Sequence, residues 1–314
     1  MRTLVTGGAG FIGSHLVDAL LAAGHEVRVL DDLSSGFVDS VPPDVELIRG
    51  DVADENAARR AVAGIDVVFH QAAHRAVLRS VEHPLATDRA NILGTLTVVK
   101  AAADAGVGRV VYASSSSIYG SAAARPTPEG VLPSPQSPYA VTNLTGEHYC
   151  RVFGELHGLE TVALRYFNVY GPRQRPDSAY AAVIPLFIRA LTNRESPEVH
   201  GDGRQSRDFT YIDNVIAANI AAAEAPATVC SGNAYNVAGG AAYSLLDLLD
   251  VLGQTLGVEP RPTHTDPRPG DVRHTMADIS AARRDLGYAP RIDFAEGLRR
   301  TVDWFARDSR QKAV

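Results

Sequence analysis

Residues 3–17 read TLVTGGAGFIGSHLV, and no other stretch narrows the choice of fold as far. A short apolar run leads into Gly7, Gly10 and Gly13, and a helical apolar pattern follows them. Glycines spaced this way between a strand and a helix let the chain turn tightly. They also let the backbone approach a pyrophosphate, which then sits on the helix N-terminus. Asp31 and Asp32 close the next apolar run, EVRVLDD, about twenty residues further on. A carboxylate there bonds the ribose hydroxyls of NAD and repels the extra phosphate of NADP. One of the two is expected to do this and the other to cap a turn. Asp51, in GDV, is placed to bond an adenine amine, and the small residues of HQAA at 70–73 let the backbone pass close to a pyrophosphate.

The first half of the chain repeats this alternation. RTLVTG, EVRVLDD, VELIRGD, DVVFHQAA and RVVYASS read as buried strands, rich in valine and leucine. Helical stretches such as SHLVDALLAAG and ANILGTLTVVKAAADAG lie between several of them, each closing near a glycine. Strand–helix alternation implies a parallel sheet with right-handed crossovers, an α/β Rossmann-type doubly wound fold. ETVALRYFNVYG reads as a sixth strand. After about residue 170 the texture changes, with proline- and charge-rich segments (GPRQRPDSAY, RPTHTDPRPGD) separating short helices. The expected division is a dinucleotide-binding domain over 1–170 and a smaller C-terminal α/β substrate-binding lobe over 171–314. DFTYIDNVIAANIAAA and YNVAGG are candidates to return to the main sheet.

Bulk properties exclude little but point one way. The net charge of −6 gives no general attraction to nucleic acid or an anionic membrane. Two cysteines, Cys150 and Cys230, form neither a disulfide framework nor a metal spacing, and no metal is expected. The N-terminus is too short and glycine-rich for a signal h-region, and no apolar run approaches membrane-spanning length. A cytoplasmic location is the expectation.

The chain resembles the extended short-chain dehydrogenase/reductase superfamily, in particular its nucleotide-sugar 4-epimerases. The resemblance covers nearly the whole length. It rests on TGGAGFIGSHL, GDVAD, HQAA, SSSSIYG, PYAVTN, RYFNVYGPRQ, GDGRQSRDFTYIDN and RPGDVRHTMAD, in that order. It implies a bound, recycled NAD. A tyrosine takes the proton of the sugar 4-hydroxyl as hydride leaves, and hydride returns to the other face of the 4-keto sugar. The cofactor site it implies comprises Gly7, Gly10, Phe11, Ile12 and Gly13, then Asp31, Asp32, Ser35 and Gly36. Asp51, Val52, Gln71, Ala72, Ala73, Tyr139, Asn143 and Tyr166 complete it.

By this resemblance Tyr139 is the base, and Ser115 bonds the sugar O4, with Ser116 and Ser117 beside it. Related dehydratases carry an Asp–Glu pair at the positions of Ser116 and Ser117. Related decarboxylases carry a glutamate at Ser117, so hydroxyls there favour epimerisation. Asn143 stands where the family has a lysine that keeps the tyrosine reactive. It can bond a ribose hydroxyl but carries no charge. One cation beside a phenolate is worth about 4 kcal/mol at an effective dielectric near 20, before screening. Poor turnover, or a non-catalytic binding protein, is therefore the rival expectation.

The second lobe is implied to hold the nucleotide diphosphate. Asn168 lies near the sugar, Arg207 and Arg268 grip phosphates, Asp271 meets the nucleotide ribose, and Val199 and Gly201 flank the uracil. Arg175, in GPRQRPDSAY, matches an arginine that reaches a sugar carboxylate. This favours UDP-glucuronate, with UDP-N-acetylglucosamine or UDP-glucose as alternatives. A homodimer through the helices of 90–106 and after Tyr139 is also implied.

Overall fold

The computed structural model describes residues 1–121, 124–177, 180–267 and 272–311. Seven parallel strands form the central sheet: β1 (Arg2–Thr6), β2 (Glu26–Asp31), β3 (Glu46–Arg49), β4 (Val67–His70), β5 (Arg109–Ser115), β6 (Glu160–Tyr166) and β7 (Asn233–Val237). Their spatial order is β7-β6-β5-β4-β1-β2-β3, the doubly wound order that reverses beside β1. The five strands expected in the first half are present, and the sixth, expected over 160–171, ends at Tyr166, after which Val169–Tyr170 pairs with Thr210–Tyr211 outside the sheet. YNVAGG returns to the sheet as β7, with Leu164 in register with Tyr235.

The strands read as continuous apolar runs because both faces are covered. Val5, Val29, Phe69, Val111 and Val162 belong to one buried cluster. Their neighbours Leu4, Leu30, Val68, Val110 and Ala163 belong to the other, which is the period of two expected of strands. Each fully buried side chain of this size contributes about 1.5–3 kcal/mol.

Four helices position the site: α1 (Phe11–Ala22), α2 (Gly94–Asp104), α3 (Pro138–His157) and α4 (Ile212–Glu224). Ser137 starts α3 by accepting from the Ala140 N–H at 3.2 Å, with Pro138 at the first helical position. Gly158, at φ +69°, ends it. A π-helical turn, Arg89–Leu93, leads into α2.

The second lobe contains the helices Val183–Thr192 and Leu245–Leu256 and two short strand pairs. Glu198–His200 runs parallel to Thr263–Thr265, and Ser206–Asp208 antiparallel to Ala242–Ser244. Aromatic stacking joins this lobe to the C-terminal helix. Phe294 lies 4.1 Å from Tyr243 and 5.4 Å from Phe209, centroid to centroid. Among the described residues, no helix is long and apolar enough to cross a membrane.

Candidate active site

The glycine turn closes by backbone contact alone. Gly7, at φ +69°, donates its N–H to Leu30 O at 2.8 Å, and Gly10 N–H donates to Gly7 O at 3.0 Å. A Cβ on Gly13 would lie 2.1 Å from Gly7 O, so no side chain fits there. Gly10 caps α1 without any side-chain bond, and the first turn holds no acidic residue. The N–H groups of Phe11, Ile12 and Gly13 therefore face the turn with no carboxylate to compete for them. That arrangement suits a pyrophosphate.

The carboxylates beside the turn are more committed than the sequence implies. Asp31, 7% exposed, accepts from Ala9 N–H at 2.9 Å and from Leu33 N–H at 2.8 Å. Burial pushes its pKa up, and those two bonds oppose the rise. Asp32 accepts from Ser34 N–H at 2.8 Å, at the head of the bend that carries Ser35 and Gly36. Both aspartates thus hold turns, where one alone was expected to. Each carboxylate oxygen keeps a further lone pair for a ribose hydroxyl. Asp51 accepts from Ala53 N–H and pairs with Arg89 at 3.1 Å, and Val52 beside it is buried.

The loop after β4 runs beneath the turn. Ala72 N–H donates to Thr6 Oγ1 at 3.2 Å, with Ala73 exposed beyond it. Gln71 joins Tyr166 and Asn219 of α4 in a hydrogen-bonded triad, at 2.8–3.2 Å. Tyr166 is anchored there, and burial raises its phenol to about 12.

Tyr139 projects from the first turn of α3 toward the end of β5. Burial pushes its phenol above the ordinary range, while the Ser115 hydroxyl, the Asn143 amide and the charge of Arg75 oppose the rise. Ser115 Oγ also accepts from Ser117 N–H at 3.2 Å and so starts the short 3-10 turn Ser116–Tyr119. Ser117 Oγ is buried without a partner among the described residues. Ser114 lies apart from this group, bonded to Glu147, whose ion pair with Arg165 is buried. Asn143, 4% exposed, donates to the Tyr139 carbonyl at 2.7 Å. One amide N–H is thus committed to the helix, and the Asn143 amide also reaches the Tyr139 phenol.

A buried polar chain links these parts. Thr6 bonds His70 Nδ1 at 2.7 Å, and His70 Nε2 bonds Thr95 at 3.0 Å. Thr95 Oγ1 donates to Asn91 O, so it accepts the His70 Nε2 proton, and Nδ1 accepts from Thr6. Burial lowers the His70 pKa to about 4, which keeps the ring neutral. Asn91, in the π-helical turn, accepts from His74 N–H at 2.7 Å and donates to His74 O at 3.1 Å. It also donates to Thr142 at 3.0 Å, and Thr142 donates to Tyr139 O at 2.9 Å.

In the second lobe a cavity of about 250 Å³ is lined by Asn168, Arg207, Glu198, His200 and Gln205 among others. Asn168, at φ +34°, donates to Asp208 O at 3.0 Å. Arg207 Nη1 donates to Ser206 O and Arg273 O, which fixes the guanidinium at the cavity wall. Val199 is fully buried in the core cluster, and its neighbours Glu198 and His200 face the cavity instead. The Val199 side chain is turned to the core because alternate residues of a strand face opposite sides, which leaves its backbone to the cavity side. Gly201 follows at φ +78° and donates to Thr265 O. Arg175 pairs with Asp177 and lies over the Phe37 ring at 4.5 Å, while its neighbour Gln174 lines the cavity. Arg268 and Asp271 lie outside the described residues.

Sequence reasoning missed Arg75, Asn91, Thr142, Asn219, Glu198 and His200. Arg75 alone had a signal, because a loop after β4 lies beside the end of β5 in a doubly wound sheet. The rest act across gaps of up to 148 residues.

A doubly wound sheet with a glycine turn at its switch point and a Tyr–Ser pair across from it has the layout of a dinucleotide-dependent enzyme. The chain belongs to the NAD dependent epimerase/dehydratase family, whose sequence model matches residues 3–238, and NAD is its cofactor. It is 39% identical to the UDP-glucose 4-epimerase of Mycolicibacterium smegmatis, over 98% of this chain and 100% of that one. Among solved structures, the UDP-glucose 4-epimerase of Thermotoga maritima with UDP-glucose superposes with a TM-score of 0.94 at 35% identity, covering 98% of this chain and 100% of the other. A UDP-N-acetylglucosamine 4-epimerase from Methanobrevibacter ruminantium, in complex with UDP-N-acetylmuramic acid, superposes with a TM-score of 0.92 at 39% identity, covering 98% of each chain.

Proposed function

We propose that the chain inverts C4 of a UDP-hexose. The observation that carries this reading is the pairing of Tyr139 with Ser115 beside hydroxyls alone. Ser116 and Ser117 offer no carboxylate for eliminating water, and Ser117 Oγ is buried without a partner among the described residues. When bound, NAD accepts the C4 hydride and gives it back. Tyr139 removes the 4-hydroxyl proton and later returns it, and Ser115 orients that oxygen. A phenol serves as base only when its pKa is brought toward the working pH. Asn168 and Arg207 would hold the diphosphate at the second-lobe cavity, with Glu198 and His200 beside the uracil. Gly7, Gly10 and Gly13, with Asp31, Asp32 and the other cofactor residues named above, would hold NAD.

For the sugar we propose UDP-glucose and UDP-galactose. Arg175 is engaged by Asp177 and Phe37, so nothing free is directed at a C6 carboxylate from that position. A buried carboxylate needs a cation or several donors. Incubation with UDP-glucose, UDP-N-acetylglucosamine and UDP-glucuronate, with separation of the epimers, tests the assignment. UDP-glucose is expected to turn over fastest, and Tyr139→Phe to lower the rate by about 10²–10⁴-fold. Preference for UDP-glucuronate would restore the Arg175 reading, and no epimer from any of them would leave a binding protein.

We further propose a homodimer. Leu93, Val141, Val152 and Leu156 are exposed on the helices expected to pair, and Leu156 is 73% accessible. Light scattering on the same preparation should give twice the chain mass.

A further inference from the structure

Tyr139 stands in a protein environment that works against its ionisation, and its own helix supplies no charge to relieve it. Asn143 is neutral and folds back onto the Tyr139 carbonyl. One turn on, Glu147 is neutralised by Arg165. From β5, Ser115 and Tyr112 face the phenol, and neither carries charge at neutral pH. Among the described residues, the one charge that acts on Tyr139 comes from the loop after β4, which brings Arg75.

The fold holds that loop in place. Asn91 grips both the N–H and the carbonyl of His74 and ties them to Thr142, whose hydroxyl is bonded to Tyr139 O. Arg75 is the next residue. Ala76 follows at φ +88°, a conformation an alanine adopts only under constraint, and it swings the chain into the helix Val77–Glu82. Asn91 itself is presented by a π-helical turn, a device common at functional sites. Arg75 opens to the solvent of the cleft, and no carboxylate or carbonyl among the described residues holds its guanidinium. An arginine stays ionised at any working pH.

We propose that Arg75 supplies the positive charge that lets Tyr139 act as a base, delivered from the neighbouring loop and not from the tyrosine's own helix. The residue is electrostatic in its action and takes no proton. The proposal rests on the epimerase reading for its chemistry, but the charge coupling can be measured without it. An ionised neighbour favours phenolate, so Tyr139 titrates at lower pH with Arg75 than without it.

The test uses the full-length, NAD-loaded protein and the variants Arg75→Ala, Arg75→Lys, Asn143→Lys and the pair Arg75→Ala with Asn143→Lys. Arg75 is solvent-exposed, so its variants keep the fold. The first readout is ultraviolet difference titration of tyrosinate, each protein minus its Tyr139→Phe form. Arg75→Ala is expected to raise the Tyr139 midpoint by about one pH unit, and Arg75→Lys to leave it nearly unchanged. The second readout is the pH profile of kcat for UDP-glucose. Arg75→Ala should lower kcat about tenfold near neutrality and recover at alkaline pH, with KM little changed. Asn143→Lys should restore the Arg75→Ala protein. An unmoved tyrosinate midpoint overturns the proposal. So does a rise in KM alone, which would make Arg75 a phosphate grip. A moved midpoint in a protein that epimerises no UDP-sugar would sink the proposed function and leave the Arg75–Tyr139 coupling standing.

Discussion

The two rims of the cleft are built by opposite means. On the β1 side the glycine turn works by leaving side chains out, with Gly7 folded back over its own loop and Gly13 pressed against Gly7 O. On the β4–β5 side the tyrosine rim depends on polar side chains that meet from far apart, from Thr6 through His70, Thr95 and Asn91 to Thr142. The first tolerates almost no substitution, because a backbone contact cannot give way. The second can be tuned, because its members are individually exchangeable in charge and length. Asn143, neutral beside Tyr139, is one such position.

Three changes would break or sharpen this contrast. Gly13→Ala should have the largest effect. Its Cβ would sit 2.1 Å from a backbone oxygen, so the turn must open. A loss of about 3 kcal/mol or more is expected in urea unfolding, together with loss of bound NAD. Unchanged cofactor content would show that the turn is more pliant than its contacts imply. Asn91→Ala comes next. It strips partners from the buried His74 backbone groups and from Thr142, at about 2 kcal/mol. Turnover should fall as the loop carrying Arg75 loosens, with cofactor content kept. If NAD were lost as readily as in Gly13→Ala, the two rims would not be separable.

Acid should give the smallest effect. His70 has a folded pKa lowered to about 4 by burial, below the ordinary 6.5. The unfolded chain therefore takes up a proton first, and stability falls as pH drops from 6.5 toward 4. Near pH 5.5 the cost is about 1 kcal/mol. His15, also lowered to about 4 by burial and then by Arg173, shares that window. His70→Gln should flatten the fall in thermal stability without abolishing it; an unaltered slope would place the titration elsewhere.

Much of the fold was legible because its signals are local. Val5 and Leu4 fall into opposite clusters by strand period, and Gly7, Gly10 and Gly13 mark their turn within seven residues of chain. The site was legible in parts. Tyr139 and Ser115 meet as expected, and Asn168 and Arg207 share a cavity. The direction of the Val199 side chain was not legible, because the register of a three-residue strand is not written in its composition. Arg175 pairs with Asp177, a carboxylate two residues away whose competition for the guanidinium the sequence reading did not weigh.

The sequence by itself determined the parallel sheet and the glycine turn at its switch point. Each follows from residues adjacent in the chain or from a repeating period. Only the tertiary structure decided that Asn91 would clamp His74 to Thr142 and that Arg75 would be the cation turned toward Tyr139. Those contacts join side chains with no common period. Which polar groups share one low-dielectric cleft is settled by how the helices pack on the sheet, and no local rule encodes it.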